Sequence, residues 1–536
     1  MGQFEINDDN MYQYFEELIY GSESKLKKRG WKKTRPLEEY GLTNHDVSSL
    51  LGSRSLLYNR KDSAKQLCAM ETIQTFLHEY IGIDGLEELW INNYGVIENN
   101  IFLEHDRYGK SAHIREHAKH QMKNAYLGSV LLLECGYVKD MAQNIYEAEG
   151  SVTRYLVQQA WNVAVEESQV LQKLEEWSYK IFMLSSLLHD IGYPLEYFLR
   201  SAKELADYPP YLKILSPTVK TDFSEIKAHL LGSQLFKLID NRLIKEKYEA
   251  NNHGVLSAVS FLMHFYYGGR VHSLSREERC ILEMTAIAIY RHTDRFKDGF
   301  RMVYKKDPIS YMVRLCDDLQ EWDRFRIQIS NKHNYLQCGK CGRILLESGG
   351  EYTCGSCGCQ YTKVTQLNNQ KVNYVCLCDE LVIEKGKKVK LQMKFNLMKQ
   401  FEVLLDDYTA VVKTAGDMEK VMELMEDQSF SMKLELKYFV SNNPYAIIEQ
   451  MIKEAGKNEA DIQAWIDGQS VPERKQNLDR FFQNYKAGRK KNPFGGELER
   501  NKLKYEDKVR EFVKEYYGEV YSLYQMLNTE GANIEK

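Results

Sequence analysis

The run Trp177 to Leu188 (WSYKIFMLSSLL) is strongly apolar, and it ends on His189-Asp190 followed by Ile191-Gly192-Tyr193-Pro194. The run reads as a buried helix, stopped by Gly192 and Pro194. A carboxylate and an imidazole at the end of such a helix are costly to bury unless something partners them. This pair constrains the fold more than any other feature, because it demands that other polar groups be brought to the same interior place.

Four further segments supply such groups. SAHIREHAKHQMKNAYLGSVLLLECG reads as a helix on which His120 shares a face with Leu127 and Leu131. HGVLSAVSFLMHFYYGG begins on His253 and stops at Gly268-Gly269, and EERCILEMTAIAIYRH ends on His292. PISYMVRLCDDLQEWDRF carries Asp317 and opens on Pro308, a favoured first helical residue. In chain order the candidate metal ligands are His120, His189, Asp190, His253, His292 and Asp317. His117 lies one turn before His120 and competes with it, but Leu127 and Leu131 turn His120 toward the core. Asp318 competes with Asp317, and the preceding Leu315-Cys316 favours Asp317. Four histidines and two aspartates form a mixed N/O set suited to Fe, Mn, Zn, Mg or Co. Six donors exceed one tetrahedral site, so two divalent metals are expected, with Asp190 between them. His105, His113 and His264 read as ordinary residues.

The ordered segments KHQMKNAYLG, LLHDIGYP, HGVLSAVSFL, AIAIYRH and VRLCDDLQEW resemble the HD superfamily of metal-dependent phosphohydrolases over residues 105–326. The resemblance implies an all-helical domain with a central metal site, in which His189 and Asp190 are catalytic. It also implies hydrolysis of phosphate esters or anhydrides, often in nucleotides. His253 and His292 match members that hold two metals. Within the superfamily a deoxynucleoside triphosphate hydrolase is the preferred reading, and nucleotide depletion or signal cleavage in bacterial antiviral defence fits such an architecture. Tyr193 departs from members that have a lysine or histidine after the HD pair. Lys123, Arg291, Arg295, Lys297 and Arg324 lie near the ligands in sequence and are candidate phosphate contacts. The alternatives are an HD-type phosphodiesterase or nuclease acting on cyclic nucleotides or single strands, and a non-catalytic nucleotide-sensing scaffold. Dinuclear iron oxygenation on the same ligands is a minor fourth.

The cysteines point to a second metal. Of 11, seven crowd between Cys338 and Cys378. CGKC (338–341) and CGSC (354–357) form paired knuckles that place four thiolates around Zn(II), and they resemble a zinc ribbon. The ligands are then Cys338, Cys341, Cys354 and Cys357, with Cys359 a substitute for Cys357, and the role is structural. Cys376 and Cys378 leave a weaker second site open. Lys340, Arg343, Tyr352, Tyr361 and Lys363 leave nucleic acid open as a partner of the ribbon.

The fold class expected is mainly α: a helical region at 1–104, the HD-type domain at 105–330, a zinc ribbon with a β-hairpin at 331–395, and a helical region at 396–536. The hairpin falls in KVNYVCLCDELVIEKGKKVKLQMKF, turning near Gly386. The C-terminal helices are amphipathic and read as packing or oligomerisation faces. A net charge of −4 argues against a globally basic nucleic-acid binder. No apolar run reaches the length of a spanning helix, and the polar start MGQFEINDDN lacks a signal-peptide core and has Ile6 where a myristoylation motif needs Ser or Thr. A cytoplasmic protein without membrane contact is expected. Its partners are a nucleotide substrate, with a nucleotide activator or inhibitor and a homo-oligomer left open.

Overall fold

The computed structural model describes residues 2–21, 25–34, 72–90, 117–148, 152–161, 167–193, 195–196, 223–294, 302–322, 326–329, 345–348, 351–354, 360–361, 372–375, 378–386, 388–396, 417–418, 420–439 and 459–468, with single positions or pairs between 472 and 499. It is mostly helical. The helices that build its centre are α1 (Asp8–Tyr20), α2 (His117–Ser129), α3 (Tyr137–Glu147), α4 (Glu167–Leu188), α5 (His253–Tyr266), α6 (Arg276–Arg291) and α7 (Pro308–Asp318). None among the described residues is long and apolar enough to cross a membrane.

Helix α4 is the axis of the body, packing against α2, α3, α6 and α7. From Ile181 to Leu188 every residue is buried, including Ser185 and Ser186. Over this stretch the helix is buried all round, as a central helix must be. It approaches α2 closely. A Cβ on Gly128 would lie 1.8 Å from the Phe182 ring, so the missing side chain is what lets the two helices meet. Helix ends are well specified. Ser275 and Glu278 form a reciprocal capping box at the start of α6. Asp307 caps α7, its Oδ1 accepting from Ser310 Oγ at 2.9 Å, with Pro308 at the first turn. Asn252 caps α5.

A five-stranded sheet flanks this body. Its order is β1 (Gly2–Glu5), β7 (Cys378–Lys385), β8 (Val389–Asn396), β9 (Lys433–Phe439), β10 (Leu498–Glu499). β7 and β8 form the expected antiparallel hairpin around Gly386, and β8 buries Val389, Leu391, Met393 and Phe395 in strict alternation. Two smaller pairings complete the strands: β2 (Arg326–Ile329) with β6 (Val372–Val375), and β3 (Leu345–Ser348) with β4 (Glu351–Cys354) and β5 (Gln360–Tyr361).

The sheet corrects the expectation of helix alone at both ends of the chain. β1 comes from the N-terminal segment and pairs antiparallel with β7, while β9 comes from the C-terminal segment and runs parallel to β8. The C-terminal segment also packs onto the helical body. Phe430 sits among Tyr137, Tyr304 and Tyr311 at ring separations of 5.0, 4.8 and 5.2 Å, and Tyr311 donates to the Leu424 carbonyl at 2.9 Å. Short strands such as these carry too few residues for a clear period-2 signal, and the partner of β1 lies hundreds of residues away.

Candidate metal centre

Each expected ligand sits at the end of a helix, and the packing around α4 brings the ends together. His120 lies in the first turn of α2, and His189-Asp190 follow the last residue of α4. His253 is the first residue of α5, His292 the C-cap of α6, and Asp317 lies in the last turn of α7. Close backbone approach sets the register. A Cβ on Gly192 would fall 2.4 Å from the Ser257 nitrogen, and one on Gly254 would fall 2.6 Å from Thr293 Oγ1. Gly192 also donates its N–H to Ser257 Oγ at 2.9 Å.

The donor atoms converge. His120 Nε2 lies 2.9 Å from Asp317 Oδ1 and 3.3 Å from Asp190 Oδ2. His189 Nε2 lies 3.4 Å from Asp190 Oδ2 and 3.5 Å from Asp317 Oδ1. On the other side of Asp190, Oδ1 faces His253 Nε2 at 3.9 Å. His292 stands between the remaining rings, 5.0 Å from His189 and 5.2 Å from His253 between centroids. Two overlapping groups of donors result, His120–His189–Asp317 and His189–Asp190–His292, each with all its atoms within 4.8 Å of one another. Asp317 enters the centre, whereas Asp318 turns aside to Arg314 at 3.5 Å.

The residues fit a metal on two counts. Donors about 2.1 Å from a common ion stand about 3.0–3.4 Å apart in octahedral or tetrahedral arrangement; the four contacts of His120 and His189 with the carboxylates span 2.9–3.5 Å. In addition, His120 Nε2, His189 Nε2, Asp190 Oδ2 and His292 Nε2 are buried, and beyond the close contacts within the cluster they have no hydrogen-bond partner. Four orphaned polar atoms aimed at one interior point are expensive without a cation between them. Their rings are also set for it. His189 Nδ1 faces the Ser186 carbonyl at 2.8 Å and His292 Nδ1 faces that of Ile289 at 2.5 Å. Donation from Nδ1 to those carbonyls leaves each Nε2 lone pair directed inward.

The electrostatics are those of a tightly coupled buried cluster. Burial works against the charge on His189, but Asp190 and Asp317 outweigh it and hold its pKa up at about 9. Burial likewise opposes ionisation of Asp190, yet His189 and His120 keep it well below the usual carboxylate range. Asp317 is lowered in the same way by His120 and His189. His292 is pushed down to about 3 by burial and by the neighbouring His189 and His253 charges. These shifts give a pH signature. A histidine whose folded pKa is raised stabilises fully below its unfolded pKa of 6.5, and the contribution fades as pH rises through about 9. Metal-stripped protein should therefore lose stability to urea between pH 7 and 9, with His189→Gln flattening the loss. Metal affinity should rise over the same window, because the proton on His189 must leave.

The candidate phosphate contacts fare differently. Lys123 is buried, pairs with Asp8 Oδ1 at 3.1 Å, donates to the Trp322 carbonyl at 2.8 Å and lies over the Trp322 ring. Arg291 pairs with Asp307. Both charges are thus held by neighbours within the protein. Arg295, Lys297 and Arg324 lie outside the described residues, as do Cys338, Cys341, Cys357 and Cys359. Cys354 is placed only as the last residue of β4, opposite Leu345. Cys376 is outside the described residues, and Cys378 is buried with its thiol near the Glu380 carbonyl. His264 Nε2 lies 2.9 Å from the Gly85 carbonyl, away from the donor cluster.

Two contacts of the centre were not foreseen, although Tyr193 stands out in the sequence as a departure from the HD pattern. Asp8, on α1, pairs with both Lys119 and Lys123, which flank His120 on α2. Tyr193 stacks on the His253 ring, with centroids 4.9 Å apart and planes 12° from parallel. No protein-family model, no curated protein and no solved structure matches the chain.

Proposed function

We propose that the protein is a metal-dependent phosphohydrolase of nucleotides, with (deoxy)nucleoside triphosphates as the preferred substrates. The observation that carries this reading is the meeting of six N and O donors from five helix ends at one interior point, four of their atoms buried and without a hydrogen-bond partner beyond the cluster. The resemblance of the same ordered residues to the HD superfamily supports it. His120, His189 and Asp317 would hold one ion, His253 and His292 the other, with Asp190 facing both through its two oxygens. Two divalent ions in such a cage supply a water of lowered pKa and a positive clamp for phosphoryl oxygens.

The chain's own residues do the rest. The carbonyls of Ser186 and Ile289 hold the rings of His189 and His292 in one tautomer and orientation. Full burial of His189 keeps bulk water from one side of the centre, while His253 at 29% and Asp317 at 22% side-chain exposure mark the side open to a substrate. One Zn(II) on Cys338, Cys341, Cys354 and Cys357 belongs to the same reading as a structural site, with the protein placed in the cytoplasm.

The test is a substrate panel on the full chain loaded with Mn, Fe, Co or Mg. Release of triphosphate or phosphate from nucleotides, lost in His189→Ala, is the expected result. Cleavage of oligonucleotides or cyclic dinucleotides instead would move the reading to a phosphodiesterase or nuclease. Ligand binding without turnover under every metal would leave a nucleotide-sensing scaffold.

A further inference from the structure

His189 and His292 each face a carbonyl three residues back in the chain. His253 is the first residue of α5. Tyr193 lies against its ring, nearly parallel at 4.9 Å between centroids, with His292 on another side at 5.2 Å. Tyr193 is itself fixed to the HD turn, since its N–H donates to the Asp190 carbonyl at 3.0 Å. The stack thus joins the turn that carries Asp190 to the ring that faces Asp190 Oδ1.

We propose that Tyr193 is a positioning residue for the outer metal: by stacking on His253 it sets how tightly the His253–His292–Asp190 side binds its ion. The proposal rests on the metal-centre reading above. The inner side has donors already spaced at 2.9–3.5 Å and needs no such help. The outer side is looser, with His253 at 3.9 Å from Asp190 and more exposed. A coordinated imidazole is electron-poor, and a phenol ring lying flat against it favours that state as well as fixing its plane. The two positions should therefore fill in order, inner before outer. The phenol hydroxyl is not needed for this role, only the aromatic face.

The experiment is a Co(II) titration of the metal-stripped full chain, followed by visible absorption and bound-metal analysis. An Asp190→Ala chain, in which the residue facing both positions is gone, subtracts metal held elsewhere. Wild type should take up two Co(II) above that background in two phases, and Tyr193→Phe should do the same. Tyr193→Leu should keep the first phase, which also reports an intact centre, and weaken the second roughly 10- to 100-fold, the usual effect of removing a group that orients a metal ligand. Unchanged binding in Tyr193→Leu, loss of both phases together, or a Phe variant as deficient as Leu would each overturn the role. No Co(II) uptake by wild type above the Asp190→Ala background would overturn the metal reading itself, and this one with it.

Discussion

Replacing Asp190 by Ala is expected to abolish turnover and remove both catalytic ions at once. No other ligand faces histidines on both sides, with Oδ2 against His120 and His189 and Oδ1 against His253. Without it the histidines face one another with only Asp317 to offset their charge, and His292 is already driven neutral by its neighbours. A loss on the order of 10³-fold in turnover corresponds to about 4 kcal/mol of transition-state stabilisation, the scale on which metal assistance operates. Asp318→Ala is the matched control. Its carboxyl lies next in sequence but pairs with Arg314, and its pKa is raised to about 7 by burial and by Asp317. That variant should keep its metals. Bound-metal analysis and phosphate release on the two proteins decide the matter, and equal metal content in both would refute the assignment of Asp190.

The second large effect is expected from a glycine that touches no metal. Gly192→Ala places a methyl 2.4 Å from the Ser257 nitrogen and 2.7 Å from the Leu256 carbonyl carbon. Both are backbone atoms of α5, so no side chain can swing away. Either the HD turn or the start of α5 must move, and His253 rides on that start. Overpacking of this kind costs about 1–3 kcal/mol of stability. Displacement of a catalytic geometry by about 1 Å costs on the order of 10² in rate. Gly268→Ala, with no atom within 4 Å of its new methyl, should leave both unchanged. Thermal unfolding and turnover measured side by side test the pair. A Gly192→Ala chain with wild-type rate would show that the HD turn and α5 do not need this close approach.

Much of the centre was legible in the chain because each ligand breaks a local rule. His189 and Asp190 end an apolar helix, His253 begins one and His292 closes another, so each demands a partner that its own element lacks. The choice of His120 followed from the apolar face it shares with Leu127 and Leu131, which helical periodicity carries well, and that of Asp317 from the preceding Leu315-Cys316 and the position the HD resemblance gives it. What escaped lies beyond periodicity. The pairing of Asp8 with Lys119 and Lys123 links residues more than a hundred positions apart through side chains that look like ordinary surface charges. The partners of Lys123 and Arg291 escaped because charge is visible in sequence and its partner is not. β1 and β9 escaped for a related reason: four and seven residues gain their strand identity from β7 and β8, not from themselves.

The most direct measurement is anomalous diffraction at the metal edge from crystals of the full chain grown with Mn(II). Two peaks per chain are expected, one among His120, His189, Asp190 and Asp317 and one among Asp190, His253 and His292. Density at neither place, with the four orphaned atoms instead bonded to ordered water, would contradict the account.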